Sequence, residues 1–116
     1  MKMIRAIVRP DKTEGVAEAL AQAGMPSLTK IHVFGRGRNK GIRIGDVIYD
    51  GFPKTLLLMV IEDEKLDNAI AIILENSKTG TMGVGKVFVT EVEEAYTVSK
   101  GTKGYSSFES TGRNEY

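Results

Sequence analysis

The stretch KTLLLMVI, residues 54–61, decides how this chain folds. Side chains of a strand point alternately to its two faces, so Leu56, Leu58 and Val60 share one side while Leu57, Met59 and Ile61 share the other. Both sets are apolar. A strand of this kind needs cover on both faces of its sheet. The apolar run 56–61, equalled in length by 69–74, is far below the roughly 20 residues that cross a bilayer.

Working outward, Asp63 is expected to cap a helix whose apolar stripe is Leu66, Ala69, Ile70, Ile73 and Leu74. Upstream, residues 3–9 (MIRAIVR) alternate, with Ile4, Ala6 and Val8 on one side and Met3, Arg5, Ile7 and Arg9 on the other. Pro10 ends that strand, and Asp11 with Glu14 forms a plausible N-cap and capping partner. Val16, Ala19, Leu20 and Ala23 then recur at helical spacing, and Gly24 is a natural stop. Residues 28–35 read as a second strand and residues 86–92 as a fourth. The order β-α-β-β-α-β predicts an α+β, ferredoxin-like sandwich, an antiparallel sheet with two helices on one face. Helices cover one face only, so the doubly apolar third strand predicts self-association over the other.

The 116 residues fit one domain. With 41% hydrophobic and 27% charged residues, the composition is that of a soluble globular protein. A net charge of +1 gives no global pull toward nucleic acid or acidic membranes. The absence of cysteine excludes disulfides and thiolate metal sites. Residues 1–4 lead directly into strand-like sequence without a cleavable signal, so a cytoplasmic protein is expected.

Two glycine-rich stretches hold the chemistry. GTMGVGKV (80–87) matches G-x-x-x-x-G-K but has Val87 in place of the hydroxyl residue. A phosphate-cradling NTPase loop needs a strand before it and a helix after it, and here the order is reversed. A turn using glycine's freedom and a nest of amides holding an anion beside Lys86 both remain open on spacing alone. GRGRNKG (35–41) alternates glycine with Arg36, Arg38 and Lys40 at the end of the second strand. The neutral balance and lack of interleaved aromatics speak against a nucleic-acid contact. The second and fourth strands are the edges of a ferredoxin-like sheet, so these stretches would form one pocket only across a subunit boundary.

Four segments, taken together in order, resemble the PII signal-transduction family: MIRAIVRP, TKIHVFGRGRNKG, FPK and TGTMGVGKVFV. The match runs from about residue 1 to 100. The short loop after Gly41 and the stretch EEAYTV are most similar to the nitrogenase-associated subgroup of methanogenic archaea. The resemblance implies a homotrimer with ATP/ADP sites in the clefts between subunits. It also implies Mg²⁺ with ATP, 2-oxoglutarate as a second effector, and no catalysis. The implied target is nitrogenase, inhibited together with a PII-like paralogue. Residues 1–99 would be the PII-type domain, residues 36–52 its long docking loop and 100–116 a flexible tail.

Carried over residue by residue, Gly83, Val84, Gly85 and Lys86 match the phosphate-holding turn, and Gly35, Gly37 and Arg38 the nucleotide-binding end of strand two. Ile7, Thr29 and Val60 match positions around the adenine. Lys54 matches the lysine that pairs with 2-oxoglutarate, with Lys40 beside it and Asn39 at the Mg²⁺-ligating position. Arg36, Arg43, Asp46 and Tyr49 would lie on the docking loop. There are departures. Asn39 stands where a glutamine is usual, Val84 where an acid is usual, and Thr97 and Ser99 where two arginines commonly approach the phosphates. Lys100 and Lys103 are the candidate substitutes, as point charges without a bidentate fork. The tyrosine uridylylated in enterobacterial members has no match, since Val47 stands nearest and Tyr49 is two places off; that modification is not expected.

The remaining signals are read as structural. His32 has no nearby carboxylate pair, the acidic run 62–64 sits where a helix begins, and Met25, Met59 and Met82 are packing residues. Two rivals accompany the sensing hypothesis. One is a degenerate PII-like interaction module that docks without effective nucleotide sensing. The other is a small ferredoxin-like phosphate hydrolase, for which no nucleophile–base pair is evident.

Overall fold

The computed structural model describes residues 1–36, 42–44, 47–49, 51–79 and 85–103. Strand β1 (Lys2–Val8) leads through a single 3-10 turn to helix α1 (Thr13–Gln22) and edge strand β2 (Thr29–Gly35). Two short strands, β3 (Ile42–Ile44) and β4 (Val47–Tyr49), pair antiparallel within the loop expected over 36–52. Strand β5 (Phe52–Ile61), helix α2 (Leu66–Ser77) and strand β6 (Gly85–Glu91) follow. Strands β7 (Tyr96–Thr97) and β8 (Thr102–Lys103) form a small hairpin that straddles the expected boundary at residue 99. The main sheet runs β2-β5-β1-β6, antiparallel throughout. This is the ferredoxin-like order anticipated from the element pattern, with β2 and β6 as the edges.

Alternation decides which side the helices take. Ile4, Ala6 and Val8 of β1 are buried with Leu57, Met59 and Ile61 of β5, under Val16 and Leu20 of α1 and Ala69 and Ile73 of α2. Register keeps these faces together, because directly paired residues share a side: Ile4 lies opposite Met59 and Ala6 opposite Leu57. The other face holds Met3, Arg5, Ile7, Leu56, Leu58 and Val60, each only partly buried. Its edge residues Ile31 and Phe88 are 39% and 49% exposed. These aliphatic side chains in adjacent rows lie on the face that the doubly apolar third strand is expected to have covered.

Several local expectations are corrected. Asp11 does not cap α1; it lies in the 3-10 turn and pairs with Arg9, while Lys12 holds the N-cap position without a side-chain bond. Glu14 reaches the other way and pairs with Lys30, tying α1 to the edge strand. Asp63 likewise begins a 3-10 turn, and its carboxylate takes the Met1 ammonium at 3.0 Å. That hydrogen bond and the neighbouring positive charges hold the Asp63 carboxyl below its ordinary range. In both turns an inserted 3-10 segment moves the helix start beyond the acid's reach. Leu74 is not part of the buried stripe. It is 53% exposed, and Ile70 and Ile72 flank the core in its place, because the sheet side of α2 centres on Ala69 and Ile73. The strand ends differ by one residue from those expected for β1, β2 and β6.

Candidate functional site

Gly85 begins β6 with φ +118, a backbone region open essentially to glycine. A Cβ built there would meet the Ile7 carbonyl oxygen at 1.6 Å and its carbon at 2.8 Å. The missing side chain lets the incoming chain lie directly against β1, which fixes the next residue, Lys86, opposite Ile7. Lys86 is exposed at the sheet edge on the same face as Ile7. Of the two readings open on spacing, the turn that uses glycine's freedom is met at Gly85.

A second group forms two strands away. Gly35 ends β2 opposite Phe52, and Val33 lies opposite Lys54. A Cβ at Gly35 would sit 3.6 Å from Lys54 Cγ, so the glycine rests on the lysine's stem. Val8, Gly85, Gly35 and the start of β5 all lie at one end of the sheet, as the antiparallel registers require. Three interstrand spacings still separate β2 from β6, about 14 Å. The two glycine-bearing edges of one subunit are thus distinct halves.

Ile7, Thr29 and Val60, the positions expected around an adenine, do not come together within one subunit. Thr29 is at the far end of β2, about 20 Å along the strand from Gly35. Val60 is paired with Met3 and is a diagonal neighbour of Thr29, whose direct partner is Leu58. Ile7 belongs with Lys86 at the other end. Arg36 follows Gly35 and is exposed. Arg43 and Tyr49 are placed by backbone in β3 and β4. Gly37, Arg38, Asn39, Lys40, Asp46, Gly83 and Val84 lie outside the described residues.

The strand positions on the open face carry Arg5, Lys54 and Lys86 and no carboxylate. The one acid in these four strands, Glu91, is on the helix side, where it pairs with Lys2. This face suits an anion. Lys103, considered near the C-terminus as a substitute cation, pairs with Glu94 at 2.9 Å, and Glu94 also accepts from the Tyr96 hydroxyl at 3.4 Å. Thr97 lies in β7 and Ser99 in the turn that follows. Among the described residues no group of three or more His, Asp or Glu side chains is arranged to hold a metal ion. Among the same residues no helix is long and apolar enough to cross a membrane.

The antiparallel βαββαβ sheet with glycine-bearing edges defines the class of fold, and the family follows from comparison: residues 1–102 match the nitrogen regulatory protein P-II family, to which this chain belongs. It is 57% identical over 104 residues to a nitrogen fixation nifHD2 region GlnB-like protein 1 of Methanosarcina barkeri, covering 90% of this chain and 99% of that protein. A nifHD region GlnB-like protein 1 of Methanothermobacter marburgensis is 51% identical with the same coverage. Nitrogen regulatory protein P-II 2 of Methanothermobacter thermautotrophicus is 40% identical over 108 residues, covering 90% of this chain and 94% of that protein.

Arg5 was overlooked as a candidate site residue in the sequence. Its signal was present in the alternation of strand one, which puts it between Met3 and Ile7 on the open face.

Proposed function

We propose that this chain is a cytoplasmic, non-catalytic nitrogen regulator that binds ATP or ADP, with Mg²⁺ and 2-oxoglutarate, in clefts between subunits of a homotrimer, and that it docks on and inhibits nitrogenase through residues 36–52. The observation that supports it most is the Gly85–Lys86 start of β6, pressed against Ile7 at the same end of the sheet as Gly35 and Lys54. P-II proteins are typically trimers. Placing the β6 edge of one copy beside the β2 edge of the next would bring the two glycine-bearing halves together. Arranging the copies about a common axis with their open faces turned inward would cover those faces as well.

Lys86 would supply a point charge to phosphate, with Gly83, Val84 and Gly85 offering backbone amides. Gly37 and Arg38 would close the pocket from the neighbouring edge. Lys54 would pair with a 2-oxoglutarate carboxylate, beside Lys40, with the Asn39 amide oxygen directed at the nucleotide's Mg²⁺. The relatives' names place them in nitrogen fixation regions, which supports nitrogenase as the target, alone or with a P-II-like paralogue. Control would follow from linkage: the effectors act by their differential affinity for the docked and free loop.

The departures at Val84, Thr97 and Ser99 favour a second reading, an interaction module with weakened nucleotide control. Capture from cell extract separates the two. Immobilised protein is expected to retain nitrogenase without effectors and to release it on adding ATP with 2-oxoglutarate. Retention indifferent to both effectors supports the second reading, and failure to retain nitrogenase at all overturns the target assignment.

A further inference from the structure

Arg5 stands at the middle of the open face, on central strand β1, with Leu58 of β5 on one side and Phe88 of β6 on the other. It is partly buried in the isolated subunit, and its Nη1 donates to Thr90 Oγ1 at 3.2 Å. That bond draws the guanidinium toward the Met3 end of the sheet, since Thr90 is paired with Met3. A guanidinium has five donors and does not shed its charge. Thr90 accepts one. Apart from Thr90 and Lys86, the neighbouring open-face positions are apolar (Met3, Ile7, Leu56, Leu58, Val60 and Phe88), and no open-face strand position bears a carboxylate.

Covering this face with another subunit removes water from a charge that must then be met, because an unpaired buried cation is strongly unfavourable. We propose that Arg5 is an interface cation, paired on association with a carboxylate of a second copy of this chain. The inference rests on the association described above. The acids positioned to serve are Glu62 and Glu93, which follow β5 and β6 at the same end of the sheet toward which Thr90 draws the guanidinium. Apolar burial supplies the contact area, and the Arg5 pair selects the register in which copies meet.

Sedimentation velocity of the full chain and its variants tests this. Wild-type association is expected to weaken about tenfold between about 0.1 M and about 1 M salt, as a partly screened pair should. Arg5→Leu is expected to associate with little salt dependence. Arg5→Glu is expected to sediment as a single chain while keeping the wild-type circular dichroism spectrum. Combining Arg5→Glu with Glu62→Arg or Glu93→Arg should restore association in one of the two pairs. Wild-type-like association of Arg5→Glu, or unchanged salt dependence in Arg5→Leu, overturns the proposal and leaves self-association standing. A wild type that is monomeric overturns both.

Discussion

Replacing Gly85 by alanine is expected to destabilise the protein by about 3–5 kcal/mol, near the upper end for a single substitution. Two effects add. The φ of +118 is a conformation that side chains other than glycine's adopt only under strain. The new methyl would also overlap the Ile7 carbonyl oxygen at 1.6 Å, and that partner is backbone in the central strand, so it cannot swing aside. The edge strand would have to separate from β1 at the point where Lys86 is positioned. Gly15→Ala is the matched control, because Gly15 lies within α1 with nothing within 4 Å of a built Cβ. It is expected to stabilise by about 0.5–1 kcal/mol. Urea unfolding followed by circular dichroism measures both. A Gly85→Ala midpoint equal to that of the wild type would show that the close approach to Ile7 is not what holds β6 in register.

Leu56→Asp is expected to abolish self-association and leave the subunit folded. Leu56 lies on the open face with Ile7 and Ile31 as its cross-strand neighbours, away from the helices. A carboxylate there costs little in a free subunit but is desolvated without a dedicated partner once the face is covered. The variant should sediment as a single chain of about 12.7 kDa with an unchanged helical spectrum. Its neighbour Leu57 offers the contrast. It is 1% exposed on the helix side, so Leu57→Ala should cost about 2–5 kcal/mol of folding stability. An oligomeric Leu56→Asp would place the subunit interface elsewhere.

The topology was legible because three signals agreed. Alternation in residues 3–9, the two-faced strand at 54–61 and helical stripes of Val16–Leu20 and Ala69–Ile73 each called for one arrangement, and sheet order followed from it. The helix starts were misread at Asp11 and Asp63 because a capping pattern is local, and a 3-10 turn inserted ahead of each helix shifts the frame by a turn. Leu74 was misassigned because it lies one residue round the helix from Ile73, beyond the edge of a buried face centred on Ala69, Ile73 and Ser77.

The site divides along the same line. Gly85, Lys86 and Gly35 stand out by glycine spacing, Lys54 only by the family resemblance, and all four lie at one end of the sheet. Thr29 and Val60 have no individual motif; their place on the open face depends on register across three strands. Arg5 was hidden for a different reason. A single cation in an alternating strand looks like a solvated residue until the sheet shows apolar neighbours on both sides.

The central claim is that the Gly85–Lys86 turn holds a nucleotide, and isothermal calorimetry tests it most directly. Titrating MgATP, with and without 2-oxoglutarate, into the wild-type protein and Lys86→Ala is expected to give saturable binding to the wild type that 2-oxoglutarate strengthens. Loss of the lysine's charge-assisted contact should weaken binding about 10- to 100-fold, corresponding to about 1.5–3 kcal/mol. No heat of binding at millimolar nucleotide, or equal affinity in Lys86→Ala, would contradict it.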